Sequence, residues 1–204
     1  KDLEPEKSLT NELNLTFQPN NNFKLSTNFF RSNINNNIEY VGGKYINDSD
    51  DIDLNQSGVE NVIEYKTSNT RYSLFSTFLS SKKENGSDQL RRPEKSYGLN
   101  FNRTFFKNYA NEFNLSFNYK HYGKHFDTHS SNFSTIEMDS TDIVNLKLSK
   151  KFNDILGYIK IDNLFNETYQ RPHGFNQEKR YLNIGFNYKY WKLVLKFLND
   201  ILIE

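Results

Sequence analysis

The sequence predicts an all-β protein, an antiparallel up-and-down transmembrane β-barrel to which the chain contributes about nine strands. Three observations carry that expectation. Apolar and polar residues alternate with period 2 in segment after segment, which gives each strand one greasy face and one wet face. The connections alternate between tight turns and long polar loops, as the two rims of an outer-membrane barrel do. On the apolar parity of the sixth and ninth strands, over Phe113–Tyr119 and Leu182–Tyr190, there is also no charged residue; an Arg or Lys at mid-bilayer costs roughly 2–4 kcal/mol, falling towards zero at the interfaces.

Taken in order, the strands are expected at 8–18, 22–40, 52–66, 70–82, 92–106, 109–122, 140–151, 154–164 and 179–190. In the first, Leu13, Leu15 and Phe17 alternate with Asn14 and Thr16; in the second, Leu25, Thr27 and Phe29 share a face. The sixth sets Phe113, Leu115, Phe117 and Tyr119 against Asn114, Ser116, Asn118 and Lys120. The last sets Leu182, Ile184, Phe186, Tyr188 and Tyr190 against Asn183, Gly185, Asn187 and Lys189. Arg103 breaks the rule by sharing parity with Leu99 and Phe101, but it lies near a tight turn, where it can snorkel to an interface. The tight turns are Gln18–Asn21, Thr67–Asn69, Lys107–Asn108 and Asn153–Asp154; the long loops are 42–51, 83–91, 123–139 and 165–178. Alternation alone also suits a soluble antiparallel sandwich or a secreted repeat sheet. Neither has a reason to keep every second loop long, so the loop asymmetry favours the barrel.

Composition excludes several functions. Net charge is only +1 with the signs interspersed, so there is no basic patch for nucleic acid. Cysteine is absent, which removes disulfides and thiolate metal sites. No run of about 18 apolar residues exists for a membrane helix. The hydrophobic fraction is low, yet 18 Phe and 13 Tyr are present, a balance that suits half-wet strands better than a soluble core. A mean hydropathy of −0.83 is low for a membrane protein, and a wet lumen with large loops accounts for it.

Three landmarks then stand in order. Asp2-Leu3-Glu4-Pro5-Glu6-Lys7-Ser8 opens the first strand, with Pro5 where no ladder donor is needed. Asn55-Gln56-Ser57-Gly58-Val59-Glu60 is followed by Leu90-Arg91-Arg92-Pro93. Ile161-Asp162-Asn163-Leu164-Phe165-Asn166-Glu167-Thr168-Tyr169 leads through Gly174-Phe175 and Arg180-Tyr181 to Tyr188-Lys189-Tyr190. Together they resemble the C-terminal part of a TonB-dependent outer-membrane receptor barrel, and their layout is most similar to the cobalamin receptor. The resemblance implies a bacterial outer-membrane location, a parent barrel of about 22 strands, and uptake of cobalamin or a similar metal chelate with energy delivered through TonB. A siderophore or haem receptor is the alternative within the same superfamily. It implies that Phe186, Tyr188 and Tyr190 form the C-terminal signal for the barrel-assembly machinery and that the four long loops are extracellular. With Lys1 preceded by no signal, plug or earlier strands, the chain is expected to be a fragment or a processed product, and TonB contact to lie in the missing N-terminal part.

Residues 1–190 are thus expected to be barrel and 191–204 a tail, in which Trp191, Leu195, Leu198 and Leu202 fall on one face of a short amphipathic helix. Loop residues held by a rigid scaffold are where binding concentrates, so Tyr122, His125, His129, Arg171, His173 and Phe175 are the candidate ligand contacts. The spacing of His121, His125 and His129, with Asp127 nearby, would align three imidazoles on a helix, but Gly123 and the alternation before it place them on a strand and loop; no metal site or cofactor is assigned. Asp48, Asp50, Asp51 and Asp53 lack the Gly and Glu of a calcium loop. No nucleophile, metal-hydrolase or phosphate-loop motif is present, and no enzyme is expected. The rival classes are a passive porin or structural barrel, and a secreted β-sheet adhesin.

Overall fold

A computed structural model describes residues 3–41, 43–47, 53–153 and 155–188. Among these the chain forms thirteen strands and no helix. The first seven are β1 (Lys7–Phe17), β2 (Phe23–Asn35), β3 (Glu39–Val41), β4 (Lys44–Ile46), β5 (Leu54–Lys66), β6 (Thr70–Lys83) and β7 (Lys95–Phe105). They are followed by β8 (Phe113–Tyr122), β9 (His125–Thr128), β10 (Thr135–Met138), β11 (Thr141–Phe152), β12 (Ile155–Asp162) and β13 (Tyr181–Tyr188). Nine of them build one antiparallel up-and-down sheet in the order β1-β2-β5-β6-β7-β8-β11-β12-β13. The other four are two small hairpins, β3–β4 and β9–β10, that give the long loops at 42–51 and 123–139 structure of their own.

Pairing keeps every strand's apolar parity on one side. Phe101, Phe117, Leu146, Ile161 and Leu182 form a single row across five strands, each opposite the next. On the other side the polar parity makes a ladder of side-chain hydrogen bonds: Asn118 Nδ2 donates to Asn100 Oδ1 at 2.6 Å, Ser116 Oγ to Asn102 at 2.5 Å, and Asn145 Nδ2 to Asn118 Oδ1 at 3.2 Å. Exposure follows the opposite logic from a water-soluble protein. Leu54 and Val144 are the buried hydrophobic residues among those described, whereas Leu13, Leu15, Phe17, Ile184 and Phe186 stand out from the apolar face, Phe186 at 76% exposure. The sheet therefore has no apolar core.

Three aromatic rings on the polar face lie over glycines directly across the ladder. Phe30 faces Gly58, Phe75 faces Gly98 and Tyr158 faces Gly185, each with ring atoms where a Cβ would sit. Glycine leaves room for the ring, and the ring covers backbone that glycine would leave bare.

The expected strand at 22–40 ends at Asn35, because Asn36 turns left-handed at φ 55° and its N–H is taken by Asp53 Oδ1 at 2.7 Å. The tight turn expected at Lys107–Asn108 is wider. Phe106 and Asn108 have φ of 50° and 70°, and Glu112 Oε2 accepts the Asn108 N–H at 2.8 Å, so β8 starts at Phe113 rather than 109. Arg103 sits on the apolar face opposite Thr70, at the tight-turn end, with its guanidinium 5.0 Å from the Phe105 ring. The proposed helix at 191–204, together with Tyr190, Asp48, Asp50 and Asp51, lies outside the described residues.

Candidate functional site

The long connections gather at one end of the sheet, and three of them are tied together by one carboxylate. Asp127, in β9, is fully buried. Its Oδ1 accepts from Arg91 Nε at 2.7 Å and from the Thr128 N–H at 2.7 Å, and its Oδ2 accepts the His173 N–H at 2.8 Å. Arg91 comes from the β6–β7 loop, where its own N–H reaches the Phe126 carbonyl at 2.6 Å. Burial pushes the Asp127 carboxyl up, but the His173 N–H, the Arg91 guanidinium and the Thr128 N–H together hold it below the ordinary carboxylate range.

The β12–β13 loop is pinned at its base by Asn163. This residue is buried at φ 50°, its N–H donates to Asn145 Oδ1 at 2.9 Å, and its side-chain amide accepts from Glu167 N and donates to the carbonyls of Glu167 and Glu178. Asparagine suits this place because it tolerates the left-handed conformation and offers both a donor and an acceptor. The pin joins the loop to the amide ladder on the polar face. Further out, Gly174, at φ 86°, comes so close to Ser130 that a Cβ would lie 2.7 Å from that side chain. Glycine there permits both the turn and the close approach of the two loops.

This framework brings together four of the six expected ligand contacts. The Arg171 guanidinium stacks 3.6 Å above the centre of the Tyr122 ring, which Lys120 Nζ also approaches at 4.3 Å. The rings of His129 and His173 are 4.6 Å apart, and His173 Nδ1 accepts the Ser130 N–H at 3.0 Å. His125 is separate: its buried Nδ1 lies 3.3 Å from the Gly123 carbonyl, and it lines a cavity of about 270 Å³ with Ser81, Gln89, Arg92, Lys124 and Glu137. Across that cavity Lys124 Nζ meets Glu137 at 2.6 Å, which raises the Lys124 pKa. Phe175 is 64% exposed, with its backbone bonded to Arg171 and Pro172.

His121, His125 and His129 do not converge. His121 is on the apolar face, stacked on Tyr97 at 4.4 Å and bonded to Asp142 at 2.9 Å. Among the described residues no group of three His, Asp or Glu side chains could hold a metal ion. Asp53 is occupied by Asn35 and Asn36. Phe186 and Tyr188 of the expected assembly signal lie on the apolar face of β13. Sequence reasoning overlooked Arg91, Lys120 and the pinning role of Asn163. Lys120 could have been found, since it shares the parity of Tyr122; Arg91 carries no local signal.

No protein-family profile matches the chain, and no curated protein sequence matches it. Solved structures do. The ferripyoverdine receptor of the outer membrane of Pseudomonas aeruginosa superposes with a TM-score of 0.74 at 15% identity, over 92% of this chain and 28% of the receptor. The ferric yersiniabactin uptake receptor FyuA of Yersinia pestis gives 0.71 at 14% identity, over 88% and 28%. The siderophore receptor PirA of Acinetobacter baumannii gives 0.72 at 17% identity, over 92% and 32%. The chain spans about a third of each of these receptors or slightly less, and what it shares with them is the fold, a nine-stranded portion of their β-barrel.

Proposed function

We propose that the chain is part of the barrel wall of a TonB-dependent outer-membrane receptor that takes up a metal chelate, and that it contributes four extracellular loops to the mouth. One observation carries this: the apolar residues are on the outside of a sheet whose polar residues bond to one another on the other face. In water such a face is a contiguous apolar surface of the kind that soluble monomers rarely expose. In lipid it is the favourable arrangement, with the polar face lining an aqueous lumen. Among the described residues β1 and β13 each pair on one side alone, and in hydrocarbon their other edges call for further strands, because an unpaired edge there costs several kcal/mol per backbone group.

Loops knitted by Asp127 and Asn163 supply the rigid frame that a ligand-binding mouth needs. The reading assigns no enzymatic step. For the ligand, likeness to receptors named for ferripyoverdine and ferric yersiniabactin supports an iron siderophore, and the sequence landmarks support cobalamin. The partners in this reading are outer-membrane lipid, the barrel-assembly machinery and, through the rest of the receptor, TonB.

The test is uptake by cells that express the intact gene. Radiolabelled ferric siderophores and cyanocobalamin are supplied with and without a collapsed proton gradient. Energy-dependent accumulation of one of them is expected. Entry that survives loss of the gradient would make the protein a passive pore.

A further inference from the structure

We infer that Lys120, Tyr122 and Arg171 form the mouth subsite for an anionic chelate, and that Lys147 continues a basic track down the same wall. This rests on the receptor reading above and adds the charge of the ligand and the residues that select it. Two cations lie over the Tyr122 ring, with Arg171 at 3.6 Å and Lys120 at 4.3 Å from the ring centre. The two like charges are therefore no more than about 8 Å apart, within one Debye length at physiological salt, so salt screens their repulsion only in part. Lys147 Nζ rests 4.6 Å from the Tyr158 ring, and its backbone is opposite Ser116, about 13 Å down the sheet from Lys120.

All three cations are half-buried. Among the described residues none of them has a carboxylate partner, while Lys82, Lys83, Arg91, Lys124 and Lys160 each do. The polar-face positions of β7, β8 and β11 contain Lys120, Lys147 and Lys151 and no Asp or Glu. The carboxylates of that face stand on other strands, Glu12 on β1, Glu60 and Glu64 on β5, and Asp162 on β12, where Lys160 Nζ takes it at 2.8 Å.

Partly desolvated cations without counter-charges, held over aromatic rings, are an electrostatic complement for a negatively charged ligand. A guanidinium makes charge-assisted hydrogen bonds to carboxylate, phenolate or catecholate oxygens of the kind a chelate presents. The amide ladder of Asn100, Asn118 and Asn145 lies between Lys120 and Lys147, so an anion leaving the mouth finds neutral hydrogen-bonding groups and then a second positive charge.

The experiment uses outer-membrane vesicles with the intact receptor and measures binding of ferric citrate and ferric enterobactin as anionic probes, ferrioxamine B as a cationic one and cyanocobalamin as an uncharged one. An anionic probe is expected to bind. Arg171→Gln with Lys120→Gln should weaken it at least 10-fold, Arg171→Lys should restore part of the loss, and added salt should weaken the wild type more than the double variant. Lys107→Gln, which removes a charge at the opposite rim, controls for folding and should leave binding unchanged. An anionic probe that binds equally to wild type and double variant, or binding of only ferrioxamine B or cyanocobalamin, overturns this inference and leaves the receptor reading standing. If none of the four binds to correctly inserted protein, the metal-chelate reading falls and takes the inference with it.

Discussion

Replacing Asp127 should loosen the loop junction without disturbing the sheet. The carboxylate is fully buried and takes three hydrogen bonds, two from backbone N–H groups of Thr128 and His173 and one from Arg91. Asp127→Ala orphans both N–H groups at about 1–3 kcal/mol each. The Arg91 bond adds less than its charge suggests, because that side chain is 59% exposed and water takes over its hydrogen bonds. The total is about 2–6 kcal/mol, and its middle, about 4, is two to three powers of ten in local opening. Asp127→Asn keeps an acceptor and should cost about half as much. Hydrogen exchange on the barrel in detergent reads this directly: the His173 amide and its loop should exchange 100- to 1000-fold faster, roughly, while amides of β8 and β11 keep their protection. Unchanged exchange at His173, or loss of protection throughout the sheet, would refute the reasoning. The same carboxyl sets a pH dependence. Its folded pKa is depressed, so its contribution is complete above the unfolded carboxylate value of about 4 and disappears as pH falls through the lower folded value. Loop protection should be flat from pH 5 to 8, to a first approximation, and decline only in stronger acid.

Asn163→Ala removes three side-chain bonds and places alanine at φ 50°, and should destabilise the β12–β13 loop by about 2–4 kcal/mol; limited proteolysis within 165–178 measures it. Gly58→Ala should cost about 1–3 kcal/mol in urea unfolding, because the new methyl meets the Phe78 carbonyl oxygen at 2.5 Å and the Phe30 ring at 2.7 Å; a neutral result would mean that Phe30 does not cover that glycine. Phe117→Arg on the apolar face should cost roughly 2–4 kcal/mol in lipid, and Asn118→Arg on the polar face close to nothing. Equal costs would contradict a membrane-facing apolar side.

The main sheet was legible because its signal is local. In β8, Phe117 and Asn118 declare opposite faces within two residues, and the neighbouring strands repeat the pattern in register. The overrun at 22–40 has a non-local cause. Ile38 and Tyr40 alternate with Glu39 but on the parity opposite to Leu25 and Phe29, and the strand stops at Asn35 because Asp53, far along the chain, captures the left-handed Asn36. His121 was legible on closer reading, since it shares the parity of Phe117 and so belongs with the apolar face rather than with Tyr122. The pairing of Tyr122 with Arg171, and of His129 with His173, depends on loops meeting across more than forty residues; their place in or beside the long loops identified the residues but not the contacts. Asp127 is similar. Its partner Arg91 sits in another loop, and nothing in the spacing of either residue announces the bond.

The central claim is that Phe117 faces lipid and Asn118 faces an aqueous lumen. The chain itself has no cysteine, so with any cysteine in the rest of the receptor replaced, single Phe117→Cys and Asn118→Cys variants can each carry one spin label. In outer-membrane vesicles, collision rates are measured with oxygen, which concentrates in hydrocarbon, and with a water-soluble nickel chelate. The account predicts a label at 117 that responds to oxygen and a label at 118 that responds to the nickel chelate. Two labels with the same water-dominated response would contradict it, and would make the sheet a protein that lives in water.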